Sequence, residues 1–355
     1  MPTLFSRYRK YLGHKEQLPY YGLYEGNTPL VRSKSLGGEL GGNIDLFFKQ
    51  ENVNPSYSFK DRGVSNAVAA ARYKGRPGIV CCSAGNLGIS CAMYAARASL
   101  KAVVLIPKLF ANEEKIKRIQ MYEASVIIVD GDIASGIKMA YEFSDKYNFD
   151  VVSYKNEFYC SGLKTIAFEI CEELGRAPDI FCCGAGSGAL MGHVWRGFKE
   201  YYVEGKIDKL PLMIGIEAAQ NQSASKYVSG QSFINSTILS EVSISKDQSA
   251  FIDEAIIARD ESGGYISAVT DEQAISLYQL MTKKEAIIAD ISSCVSMAGL
   301  YKLKSDGVDF DNQLIVTVIS GASDSSEILY SESRSMSRLK VIKPNLNDLE
   351  SELVL

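Results

Sequence analysis

Short, continuous apolar runs alternate with segments whose apolar residues recur every three or four positions, and this alternation covers most of the chain. The runs are of strand length: 45–51, 79–82, 102–106, 126–129, 150–153, 179–183, 212–217 and 314–319. Pro107 stops the third, and Asp-Gly ends the fourth. Between them, helical spacing predicts helices over 113–122, where Asn112 can cap, and over 134–146, 190–202 and 293–304. Leu163, Ile166, Ala167, Ile170 and Leu174 form a clear helical stripe. Thr270-Asp-Glu-Gln273 is a capping box for a helix over 271–282. Residues 1–25 show no clean period, 34–42 hold four glycines and read as a loop, and 220–265 are polar with weak periodicity. Continuous apolar strands alternating with helices predict an α/β fold, with mostly parallel sheets covered on both faces. Ligands of such folds bind beyond the carboxyl ends of strands. Four loops stand at or just past such ends: 54–60, 83–88, 184–189 and 320–324.

With 355 residues, the chain is long enough for two domains or one large one. A 46% hydrophobic and 23% charged composition is that of a globular protein. The net charge of -4 gives no global attraction to nucleic acid or to an anionic membrane. No apolar run approaches the ~20 residues of a membrane-spanning helix, and the N-terminus lacks a signal-peptide core. The cytoplasm is therefore the expected compartment. Most of the eight cysteines fall inside apolar runs, and only two histidines exist. Reduced core cysteines and no metal site are expected.

The stretch Asn54-Pro-Ser-Tyr-Ser-Phe-Lys60-Asp-Arg-Gly63 organises the candidate chemistry. Asn-Pro resists helix and marks a turn. Val64, Val68 and Ala71 then recur at helical spacing, so Lys60 sits at or near a helix N-terminus. The dipole there disfavours a cation and favours the neutral amine. A lysine amine can form a Schiff base with an aldehyde such as pyridoxal phosphate (PLP); a solvated surface lysine is the plainer alternative. Gly184-Ala-Gly-Ser-Gly-Ala189 lies between a strand and a helix, where small residues let backbone amides approach a phosphate. A plain glycine turn, or a dinucleotide fingerprint with unusually long spacing to Glu217, are its other readings. Ser83-Ala-Gly-Asn-Leu87 also opens a helix and could hold a carboxylate, or simply cap. Ser320 could hydrogen-bond a ring nitrogen, although serines are common at strand ends.

The lysine stretch resembles the Asn-Pro-x-x-Ser-Phe-Lys-Asp-Arg-Gly signature of threonine synthases and, more broadly, the fold-type II PLP enzymes, which include the tryptophan synthase β-subunit. Glu25-Gly-Asn-Thr-Pro-Leu30, Ala102-Val-Val-Leu-Ile-Pro107 and 264–272 extend the likeness over about residues 24–326. The resemblance implies two three-layer α/β/α domains: a smaller one over 46–150, a larger one from 1–45 plus 151–340, and a tail at 341–355. It implies PLP as cofactor, a small amino-acid substrate and a homodimer. Lys60 matches the Schiff-base lysine and Asn86 the partner of the ring hydroxyl. Gly184, Ala185, Gly186, Ser187, Gly188 and Ala189 match the phosphate loop, and Ser320 the residue facing the ring nitrogen. Ser83, Ala84, Gly85, Asn86 and Leu87 match the substrate carboxylate loop, and Asp290 falls near a family glutamate. The chain departs from the pattern at Ala84 and Leu87, where threonines are usual, and at Tyr159, where a phosphate-binding arginine is usual; Lys155 could partly compensate. Elimination or replacement on phosphohomoserine is expected, with serine, O-phosphoserine or O-acetylserine as alternative substrates. A non-catalytic relative and a nicotinamide oxidoreductase are the other readings.

Overall fold

A computed structural model describes residues 3–13, 18–83, 85–219 and 249–322. Among the described residues, ten strands form two sheets. Six of them, in the order β1-β2-β10-β7-β8-β9, are β1 (Leu30–Arg32), β2 (Asp45–Gln50), β10 (Leu314–Ile319), β7 (Ile180–Gly184), β8 (Leu212–Ala218) and β9 (Tyr265–Val269). Only β1 is antiparallel to its neighbour. The other four, in the order β5-β4-β3-β6, are all parallel: β5 (Ser125–Val129), β4 (Lys101–Pro107), β3 (Gly78–Cys82) and β6 (Asp150–Val151). The parallel α/β fold read from the apolar runs is what forms. Residues 46–50, expected in the smaller domain, belong to a strand of the six-stranded sheet. The tail at 341–355 lies outside the described residues.

The helices are α1 (Leu4–Tyr8), α2 (Leu36–Glu39), α3 (Lys60–Tyr73), α4 (Asn86–Arg97), α5 (Glu113–Gln120), α6 (Ile133–Tyr147), α7 (Glu157–Leu174), α8 (Ala189–Val203), α9 (Ser249–Ser262), α10 (Asp271–Glu285) and α11 (Val295–Ser305). Their starts follow capping chemistry. Asn112 accepts from the Lys115 amide at α5, Asp132 from Ser135 at α6 and Asn156 from Phe158 and Tyr159 at α7. The capping box at Thr270 and Gln273 forms in both directions. Helices also form where the pattern shows none. The glycine-rich loop at 34–42 contains the short α2, and the weakly periodic stretch after 249 contains α9.

Helix α3 joins the two sheets. It follows β2, then packs against α7 on one side and against α4 and β3 on the other. Every residue from Asp61 to Ala71 is buried. A helix enclosed all round needs small side chains where its neighbours come close, which accounts for the run Ala67-Val-Ala-Ala-Ala71. The crossing with α7 is tightest at two glycines. A Cβ at Gly162 would lie 2.2 Å from the Arg62 carbonyl oxygen, and one at Gly63 would lie 2.6 Å from the Tyr159 carbonyl oxygen. Real side chains do not fit at those distances, so the two glycines set how closely the lysine-bearing helix lies against the body of the molecule.

Candidate active site

Register brings the strand ends together. In the parallel pairings of β10, Ile319 lies opposite Gln50 of β2, and Thr317 lies opposite Cys182 of β7. The segments that follow these strands, 51–60, 184–189 and 320–322, therefore emerge along one sheet edge. Backbone bonds tie two of them together. Phe59 N–H donates to the Ser320 carbonyl at 3.1 Å, and Ala322 N–H donates to the Tyr57 carbonyl at 2.9 Å. Ser58 and Gly321 form an isolated antiparallel bridge.

Lys60 is the first residue of α3 and is half-buried, with Nζ 4.6 Å from the centre of the Phe59 ring. The two residues after it hold the turn in place. The Asp61 carboxylate accepts from the Ser56 amide at 2.7 Å, from the Ser56 hydroxyl and from the Ser90 hydroxyl of α4. Burial pushes the Asp61 carboxyl up to about 7, although those hydrogen bonds pull it the other way. Arg62 is fully buried and bonds Glu51 and Glu169 in fork geometry, with N–O distances of 2.7 Å. Thr28 bonds both Arg62 and Glu51, Asn54 bonds Glu51, and Gly26 N–H donates to Asn54. Lys49 lies 3.0 Å from Glu169. Burial alone would raise the Glu169 carboxyl, but Arg62 and then Lys49 bring it down to about 2. Glu25-Gly-Asn-Thr-Pro thus acts as scaffold: it closes a buried ion network under the lysine turn. Local sequence does not show this role, because the partners lie at 51, 62 and 169.

Asn86 is the first residue of α4, directly beyond β3. It is buried, and its Nδ2 donates to Asp290 Oδ2 at 3.1 Å. Asp290 in turn receives no slack from its neighbour, because a Cβ at Gly321 would lie 3.0 Å from both Asn86 Nδ2 and Asp290 Oδ2. Ser83 is half-buried and its hydroxyl accepts from the Gly85 amide at 3.2 Å, while Leu87 is buried. Ala84 lies outside the described residues. After β7, the Ala185 amide bonds Ile216 O and the Gly188 amide bonds Ala185 O. Gly188 has φ +76°, a conformation that favours glycine. The Gly192 amide bonds Gly188 O; the amides of Ala189, Leu190 and Met191 are the donors left over where a helix starts. Gly184 and Ser187 are half-buried, while Ala185, Gly186 and Ala189 are buried. Ser320 is half-buried, and its hydroxyl is 2.9 Å from that of Ser293.

Two further expected substrate residues lie in α7 and in the turn before it. Tyr159 is fully buried in α7 with its ring against Gly63, and its hydroxyl finds no hydrogen-bond partner among the described residues. Lys155 is exposed, with Nζ 5.9 Å from the Tyr141 ring.

A parallel α/β fold with an amine, a buried carboxamide, a helix start and a hydroxyl at strand ends suits a class: enzymes that work through an aldehyde cofactor. The chain belongs to the pyridoxal-phosphate dependent enzyme family, whose profile matches residues 22–321, and its cofactor is pyridoxal 5′-phosphate. It is 36% identical to a threonine synthase of Halalkalibacterium halodurans, over 90% of this chain and 88% of that one. It is 35% identical to a threonine synthase of Methanocaldococcus jannaschii, over 89% and 79%. The structure of maize serine racemase superposes with a TM-score of 0.72 at 19% identity, covering 86% of this chain and 91% of that one. Among the described residues, no helix is long and apolar enough to cross a membrane.

Proposed function

We propose that the chain is a threonine synthase: it removes phosphate from O-phosphohomoserine and adds water to yield threonine. The observation that carries this reading is that the Lys60 turn, the 184–189 loop and Ser320 follow strands at one edge of the larger sheet, with Asn86 tied to Asp290 beside them, in a chain more than 30% identical to threonine synthases along most of its length. The donor set suits the cofactor. Lys60 would offer an amine to its aldehyde, and the amides at the start of α8 would hold its phosphate at the favourable end of the helix dipole. Asn86 offers an amide hydrogen to the ring hydroxyl, and Ser320 a hydroxyl to the ring nitrogen. Bound there, pyridoxal phosphate supplies an electron sink for charge at the substrate α-carbon. Lys60 then works as the proton carrier at that carbon. Its half-buried position lets it exchange protons while Phe59 covers one side. The 83–87 loop at the start of α4 binds the substrate carboxylate through backbone amides.

Ala84, Leu87 and the buried Tyr159 favour a second reading. They leave the leaving-group end with fewer hydroxyl and cationic partners, so replacement or dehydration of serine, O-phosphoserine or O-acetylserine is the alternative. Both readings carry a homodimer in the cytoplasm; light scattering tests the dimer. The deciding experiment adds phosphohomoserine, phosphoserine, acetylserine, serine and threonine in turn to the cofactor-loaded protein, following absorbance, phosphate release and product. Phosphohomoserine alone should change the spectrum and give equimolar threonine and phosphate. A response to serine derivatives alone would select the second reading. Failure of Lys60→Ala to lose the yellow absorbance would overturn both.

A further inference from the structure

The hydroxyl of Ser293 makes three short contacts. It accepts from the Gly321 amide at 2.9 Å, and it lies 3.0 Å from the Gly321 carbonyl oxygen and 2.9 Å from the Ser320 hydroxyl. Ser293 is buried, so water does not compete for these partners. A hydroxyl has one proton and two lone pairs. The Gly321 amide is a donor only and takes one lone pair in every arrangement. The remaining lone pair and the proton are shared between a carbonyl, which only accepts, and the hydroxyl of Ser320, which can do either.

Two complete proton orders follow. In the first, Ser293 donates to Ser320, and Ser320 directs its own proton outward to an acceptor. The Gly321 carbonyl is still satisfied, because it accepts from the Asp290 amide at 2.9 Å. In the second, Ser293 donates to the Gly321 carbonyl, Ser320 donates to Ser293, and Ser320 presents a lone pair outward to a donor. Among the described residues, Ser293 is the hydroxyl that can accept the Ser320 proton inward, so without it Ser320 loses that acceptor.

We propose that Ser293 is a positioning residue that lets Ser320 meet the cofactor ring nitrogen in either protonation state, by accepting the Ser320 hydrogen bond when that nitrogen carries a proton of its own. This rests on the reading of Ser320 as the partner of the ring nitrogen. Ser293 touches neither cofactor nor substrate, and it acts only through the order of protons in the pair. The hydroxyl pair thus sets the pH at which the ring nitrogen gains its proton.

The test loads the protein with pyridoxal phosphate labelled with nitrogen-15 in the ring and follows the nitrogen resonance as pH is varied. Ser293→Ala should make protonation of the nitrogen about tenfold less favourable, a shift of about one pH unit, as expected when the Ser320 donor loses its acceptor. Ser293→Thr, which keeps the hydroxyl, should titrate like the native protein. In a Ser320→Ala background, Ser293→Ala should have no further effect. An unchanged titration in Ser293→Ala, or an equal shift in the Ser320→Ala background, would overturn the proposal. If Ser320→Ala alone leaves the titration unchanged, the reading of Ser320 is what fails. Should Ser293→Ala not take up cofactor, Ser293→Cys, a weak acceptor, should show an intermediate shift, and a native titration there would sink the idea.

Discussion

Asp61 follows the lysine in sequence, and its carboxylate is held by Ser56 and Ser90. Its carboxyl titrates at about 7 when folded and near 3.9 in an unfolded chain. The folded state therefore prefers the protonated acid. The stability this contributes is complete below the unfolded value and is lost as pH rises through about 7. Asn at this position is neutral at every pH. The stability of the native protein relative to Asp61→Asn should fall by a few kcal/mol between about pH 4 and 7. Urea unfolding of both proteins at several pH values measures this, and a pH-independent difference would contradict it. Sequence shows Asp61 only as part of a motif. Its environment is not legible there, because burial comes from α4 and from the Pro55 turn folding back. The same limit applies to Tyr159. Its alignment with an arginine suggests a pocket residue, whereas the ring fills the space that Gly63 leaves between two helices.

At the scale of elements, the close crossing of α3 and α7 fixes where Lys60 stands. Gly162→Ala would press a methyl group into the backbone of Arg62, which cannot move without disturbing the buried ion pairs. A loss of at least about 1–3 kcal/mol is expected, together with weaker cofactor retention. Gly38→Ala is the control, since nothing lies within 4 Å of the added carbon. Thermal unfolding and the cofactor content of the purified variants would check this; equal effects of the two substitutions would count against it. Most elements are legible in the chain because strand runs and capping residues are local signals. Helix α9 is not, since its Ala and Ile residues lie among charged ones and its partners are α8 and β8. Nor is the enclosure of α3, which depends on α7, a segment read separately as a helix of its own.

At the scale of the whole molecule, the site is made of segments from both sheets, so ligand binding and folding are linked. Unfolding free energy should rise by about 1.4 kcal/mol for each tenfold increase in pyridoxal phosphate above its dissociation constant, with no such rise in Lys60→Ala. Denaturation at graded cofactor concentrations tests this. The order of strands carries a further consequence, for the newborn chain. β10 lies between β2 and β7, yet among the described strands it is the last to be made. Until it arrives, β1 and β2 have no place in the larger sheet, and Asn86 waits for a partner 204 residues downstream. At a synthesis rate of about 5–20 residues per second, that wait lasts on the order of tens of seconds. During that time the lysine turn is already on the outside of the ribosome with an open seam beside it. A chain broken off before residue 314 would keep the amine but not the edge that frames it, so acquisition of colour would report that translation had reached the end of the sheet.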